Sequence, residues 1–133
     1  MKTVFADTSF YVAFCNLCDR HHSKAIDLAI RFQGQVVTTE FVLVELGNFL
    51  SRSDDRATFV RLFNQLRADE HTLILAASHE MFEVGYELYA DRADKDWSLV
   101  DCISFAVMRE RQLTDALTAD HHFEQAGFAA LMN

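Results

Sequence analysis

Proline is absent from this chain and glycine is scarce, at four positions in 133. That composition excludes a proline-rich spacer, a collagen-like repeat and a glycine-rich linker. No low-complexity tract or internal repeat interrupts the sequence, so residues 1–133 read as one unit without hinges. The three cysteines are sparse and odd in number, which implies no disulfide framework and a reducing, cytoplasmic setting. No apolar run approaches the roughly 20 residues that cross a bilayer, and no apolar stretch of signal-peptide length precedes Asp7. No membrane partner is therefore expected. Positive charge is also lacking: 12 Lys and Arg stand against 20 Asp and Glu, a net charge of −8. A protein that holds nucleic acid by bulk basicity is excluded. A nuclease is not, because carboxylates that bind metal count against the total.

What is present is apolar enough for a real core, at 50% of residues. Short apolar runs at residues 3–6, 35–38, 71–76, 116–118 and 128–131 read as strands. Between them the spacing predicts helices over about 8–15, 21–33, 40–50, 79–91, 99–111 and 121–125, with one more opened by Asp54 and Asp55. The helix over 21–33 is expected to turn Ala25, Ile26, Ala29, Ile30 and Phe32 toward the core, and the one after Asp55 to turn Phe59, Leu62, Phe63 and Leu66. Strands alternating with helices imply an α/β fold, a central parallel sheet of about five strands covered on both faces. Ligands of such sheets collect at the carboxyl ends of the strands, near the topological switch point.

Four carboxylates stand where a soluble fold would not casually place them. Asp7 and Asp120 each end an apolar run, and Glu45 and Asp101 interrupt two of the most apolar helical stretches. A buried carboxylate is costly unless neutralised, hydrogen-bonded or bound to metal. Together the four suggest an acidic pocket for a hard divalent cation. Three have an ordinary alternative: Asp7 and Asp120 as helix N-caps, Asp101 as the fourth residue of a capping box opened by Ser98. Glu45 does not. Its i+3 neighbour is Asn48, so no local ion pair explains it, and only a distant arginine such as Arg92 or Arg109 could.

The blocks Val4-Phe5-Ala6-Asp7-Thr8-Ser9, Val44-Glu45-Leu46-Gly47-Asn48, Ser98-Leu99-Val100-Asp101-Cys102 and Leu117-Thr118-Ala119-Asp120-His121-His122-Phe123, with Gly127-Phe128, resemble the PIN-domain ribonucleases, in particular VapC-type toxins of type II toxin–antitoxin pairs. The resemblance spans essentially the whole chain. It implies a single PIN-like, three-layer α/β/α domain over residues 1–133 and a Mg²⁺- or Mn²⁺-dependent endoribonuclease. In that family pattern Asp7, Glu45, Asp101 and Asp120 are the metal ligands, and Ser9 and Thr118 carry hydroxyls that orient acids or metal-bound water. It further implies an RNA substrate cut to a 5′-phosphate and a 3′-hydroxyl, a homodimer, and a small antitoxin that fills the active-site groove. Gln112 departs from the pattern, where a glycine is common before the penultimate strand.

Other features have competing readings. Arg52 and Arg56, with Arg61 and Arg67, offer a positive edge for RNA or a solvated face paired with Asp54, Asp55, Asp69 and Glu70. Trp97 could stack a base or cover a helix end, and Asp96, close before Asp101, could hold metal through water but reads better as a surface loop acid. Cys15 and Cys18 with His21 and His22 invite a zinc reading, but a lone CxxC lacks the second ligand pair of a ribbon. His121 and His122, next to Asp120, could contact phosphate or transfer protons, but read better as exposed polar residues of a first helical turn. Two rival functions are a non-catalytic interaction module of the same fold and a phosphatase or phosphotransfer domain using Asp7 as nucleophile. The phosphatase pattern wants a second aspartate where Ser9 stands.

Overall fold

The computed structural model describes all 133 residues. Five parallel strands form one sheet: β1 (Thr3–Ala6), β2 (Gln35–Thr39), β3 (Thr72–Leu75), β4 (Asp115–Leu117) and β5 (Ala129–Ala130), in the order β3-β2-β1-β4-β5. The connection from β1 leads outward to one side through β2 and β3, then returns to β4 on the other side. β1 is therefore the switch point, and the carboxyl ends of β1 and β4 lie side by side, with Ala6 opposite Leu117. Val4, Phe5 and Ala6 have no exposed surface, which is why that strand is apolar without alternation.

Seven helices complete the chain: α1 (Thr8–Cys15), α2 (His22–Arg31), α3 (Glu40–Phe49), α4 (Arg56–Ala68), α5 (His79–Asp91), α6 (Leu99–Glu110) and α7 (His121–Gln125). On one side, Phe10, Phe14, Leu28, Leu62 and Leu66 of α1, α2 and α4, with Phe32 just past α2, line an apolar cavity of about 600 Å³. On the other, Phe105 of α6 packs edge-on against Trp97 and Phe123, at ring-centroid distances of 5.0 and 4.9 Å. This is the expected three-layer α/β/α architecture, and most boundaries fall within two residues of those read from the sequence.

Three expectations need correction. In α2 only Ala25 is fully buried; Leu28 and Phe32 pack beside it, whereas Ile30 is 75% exposed. In α3, Val44 and Phe49 are 62% and 61% exposed, so Glu45 lies at the border of an open apolar face and not deep in the core. Asp54 and Asp55 occupy the turn before α4, and Asp55 makes no side-chain cap.

Gln112 sits between α6 and β4 with φ of +59°. The backbone there is left-handed, the conformation that glycine adopts without strain. The departure from the family pattern thus falls on a turn that a glycine would suit.

Candidate active site

The turn after β1 gives the first acid. Asp7 caps α1 in extended conformation and is 4% exposed. Ser9 Oγ and Thr118 Oγ1 lie 3.1 and 3.0 Å from the same carboxylate oxygen, Oδ2. The two hydroxyls are 2.9 Å apart, and Thr118 also accepts the backbone N–H of Asp120 at 3.0 Å. Asp7 Oδ1 has no hydrogen-bond partner within the protein. Burial, and then the charge of Asp101, push the Asp7 carboxyl up to about 7, against the hydrogen bonds from Thr118 and Ser9.

Asp101 opens α6 through the expected capping box. Its Oδ2 accepts the Ser98 backbone N–H at 3.1 Å, while the Asp101 N–H reaches Ser98 Oγ at 3.0 Å. Burial is the main cause that raises its pKa, with the Asp120 charge in the same direction and the Ser98 and His122 contacts opposing. Asp120 caps α7 by accepting the His122 N–H on Oδ1 at 2.9 Å, leaving Oδ2 free. Glu45 is half-buried and forms no hydrogen bond or ion pair; neither Arg92 nor Arg109 reaches it. Capping and metal binding are thus compatible at the three aspartates, because each cap engages one carboxylate oxygen and leaves the other uncommitted.

All four acids line a single cleft of about 720 Å³, together with Ser9, Asp19, His21, Asn48 and Asp96. Neither lysine nor arginine lines it. Six carboxylates face two imidazoles, a donor set of hard oxygens that suits Mg²⁺ or Mn²⁺. With no resident cation, such a cleft repels a polyanion.

The sequence reading set His122 aside as an exposed polar residue. It is not an exposed first-turn residue: its side chain is 20% exposed, with Nδ1 3.0 Å from Asp101 Oδ2 and 3.4 Å from Asp120 Oδ1. Its place two residues after an N-cap aspartate, in a helix that starts at a strand end, was the available signal. Asp19 and His21 were missed as cleft residues because nothing in their spacing links the α1–α2 loop to the acids. The Cys15, Cys18, His21 and His22 set does not assemble: Cys18 is exposed, and His22 Nδ1 is 2.7 Å from the Ala13 carbonyl. Trp97 covers a helix end; it is 4% exposed and donates to Gln125 at 2.9 Å. Arg52 and Arg56 do not line the cleft. The basic helix also forms no ion pairs with the nearby acids: Arg56 donates to the Ser51 carbonyl, and Arg67 lies over the Phe63 ring. Cys102 is fully buried, as a small apolar residue.

An α/β/α fold with a parallel sheet in this order and acids at its switch point defines a class, and sequence comparison agrees. The chain belongs to the PIN domain family, whose sequence profile matches residues 4–129. Within it, the chain is 31% identical over 130 residues to the 23S rRNA-specific endonuclease VapC20 of Mycobacterium tuberculosis strains CDC 1551 and H37Rv, covering 94% of this chain and 95% of the relative. The crystal structure of M. tuberculosis VapC20, a sarcin-ricin loop cleaving toxin, superposes with a TM-score of 0.86 at 28% identity, covering 95% of this chain and 96% of that one. FitAcB from Neisseria gonorrhoeae, at 14% identity and a TM-score of 0.66 over 96% of this chain and 94% of its own, shares the fold.

Proposed function

We propose that this chain is a metal-dependent endoribonuclease that hydrolyses RNA phosphodiester bonds, the toxin of a toxin–antitoxin pair. The observation that carries the reading is the convergence of Asp7, Glu45, Asp101 and Asp120 on one cleft without a lysine or arginine among them. These four are the residues that would hold Mg²⁺ or Mn²⁺. A divalent ion bound there supplies Lewis acidity toward the phosphate and toward water.

The protein's own contribution is positional. Ser9 and Thr118 hold one oxygen of Asp7 and leave the other for coordination. The Ser98 cap and His122 do the same for Asp101. Glu45, free of partners, offers both oxygens. The acids are repaid for their mutual repulsion only when a cation is present, so cation binding and RNA binding are coupled.

The likeness to VapC20 makes 23S rRNA, and its sarcin-ricin loop, the first substrate to assay. A cytoplasmic homodimer neutralised by a small antitoxin is part of the same proposal. The open apolar face of Val44 and Phe49 supports an interface beside the cleft. Arg52 and Arg56, which lie outside the cleft lining, are part of the proposal as RNA contacts beyond the cleft. The deciding experiment is cleavage of purified rRNA with Mg²⁺ or Mn²⁺, against EDTA and an Asp7→Asn variant. Cleavage that survives both controls overturns the assignment, and a monomeric mass at micromolar concentration overturns the dimer.

A further inference from the structure

The acidic cleft has one aromatic wall, which cation binding does not use. Of the residues that line it only Val12 and Phe49 are hydrophobic, and Phe49 is 61% exposed. A single exposed ring is ordinary on a protein surface; its position here is not. Phe49 follows Glu45 by four residues in α3, so the two side chains stand on one face of the helix, one turn apart. Asn48, three residues after Glu45, flanks the same face and also lines the cleft. Its side chain is exposed, and its amide is committed to no partner within the protein. Val44 lies about 140° around the helix from Phe49 and does not line the cleft. An interface built on Val44 therefore leaves the ring facing the acids.

We propose that Phe49 and Asn48 form a nucleobase subsite of the cleft, in which the ring stacks on an unpaired base beside the bond to be cut and the amide hydrogen-bonds the edge of that base. Charge selects this occupant. No lysine or arginine lines the cleft, so its carboxylates repel phosphate everywhere except at a bound cation. The uncharged part of a nucleotide meets no such penalty. A base is flat, offers a π-face to the ring, and presents donors and acceptors along its edge. The Asn48 amide supplies both a donor and an acceptor to match them. A nucleotide adjoining the bond cut at the four acids brings its base to a ring one helical turn from Glu45. Base contact also answers a need of a chain with net charge −8, which cannot hold RNA by bulk attraction. The inference rests on the nuclease reading of the four acids and adds to it a group that binds the base and not the phosphate.

The test uses the full chain with Mg²⁺ and a synthetic hairpin of the sarcin-ricin loop, alongside copies of that hairpin lacking the base on one side of the cut or the other. Phe49→Ala is expected to raise KM roughly tenfold with kcat little changed, because so exposed a ring carries little of the core. Phe49→Leu, apolar but without a π-face, should match it, and Phe49→Trp should stay near the wild type. Asn48→Ala is expected to raise KM about threefold. On the hairpin that lacks the stacked base, wild type and Phe49→Ala should perform alike. Mn²⁺ affinity by calorimetry should be equal in wild type and Phe49→Ala, which separates the ring from the metal ligands. Unchanged KM in Phe49→Ala, or a penalty that persists in full on both abasic hairpins, overturns the subsite. A change of molecular mass in solution on Phe49→Ala also overturns it and assigns the ring to a contact between copies. If the hairpin is not cleaved, its binding by fluorescence anisotropy in Ca²⁺ decides. Binding that depends on Phe49 then leaves the subsite standing and removes the nuclease reading, whereas no binding removes both.

Discussion

Thr118 stands 3.0 Å from Asp7 with its hydroxyl against Oδ2, across 111 residues of sequence, and ties the end of β4 to the end of β1. Thr118 Oγ1 also accepts the Asp120 N–H, so a single hydroxyl sets the positions of two acids. Thr118→Val keeps the shape and removes both bonds, leaving a backbone N–H without its partner. The variant is expected to lose about 1–3 kcal/mol of stability in urea denaturation and to cleave RNA more slowly. Thr118→Ser is expected to restore both.

Asp7 makes stability depend on pH in an unusual sense. Its carboxyl titrates near 7 in the folded chain against 3.8 in the unfolded one. Between those values the folded state holds the extra proton, so stability falls as pH rises through the window and levels off above it. Asp7→Asn removes this penalty. Calorimetry in EDTA at about pH 8 should find the variant more stable, on the order of 2 kcal/mol, below the ~4 kcal/mol that three pKa units would give in full. The difference should vanish toward pH 4. Mg²⁺ should raise the melting temperature of the wild type at pH 8 and leave that of the variant nearly unmoved.

Glu45 separates chemistry from folding. It has no hydrogen bond or ion pair to lose, so Glu45→Gln should unfold within ~0.5 kcal/mol of the wild type. Cleavage should fall roughly a hundredfold with the loss of a metal ligand. A variant that cleaves normally would show that Glu45 only lines the cleft.

Gln112 holds a left-handed backbone at φ +59°. That conformation costs a residue with a side chain about 1–2 kcal/mol, partly offset by the greater chain entropy of glycine. Gln112→Gly is expected to raise stability by about 0.5–1 kcal/mol, a few degrees of melting temperature, with no change in cleavage.

The sheet and most helices were legible because their signals are local: apolar runs for β1 and β2, the capping box for α6, strand-end acids for the turns after β1 and β4. The four carboxylates were legible because each interrupts or ends an apolar run, a conflict visible without coordinates. His122 was not, since its position between Asp101 and Asp120 arises from the crossing of α6 and α7, which no local spacing encodes. Asp19 and His21 reach the cleft through a loop whose path only the packing of α1 on α2 determines. The faces of α2 and α3 were misjudged for a related reason. Ile30, Val44 and Phe49 satisfy a helical pattern for burial, yet this chain alone supplies nothing to cover them.

One quiet residue governs how tightly the acidic helix is held. Gly85 of α5 is buried against α6, where an added Cβ would come within 2.8 Å of the Ile103 Cα, two residues beyond Asp101. No side chain fits there unless the two helices part. A single substitution far from any carboxylate therefore disturbs the helix that carries Asp101. Gly85→Ala is expected to lower the melting temperature and to weaken cleavage although it alters no carboxylate.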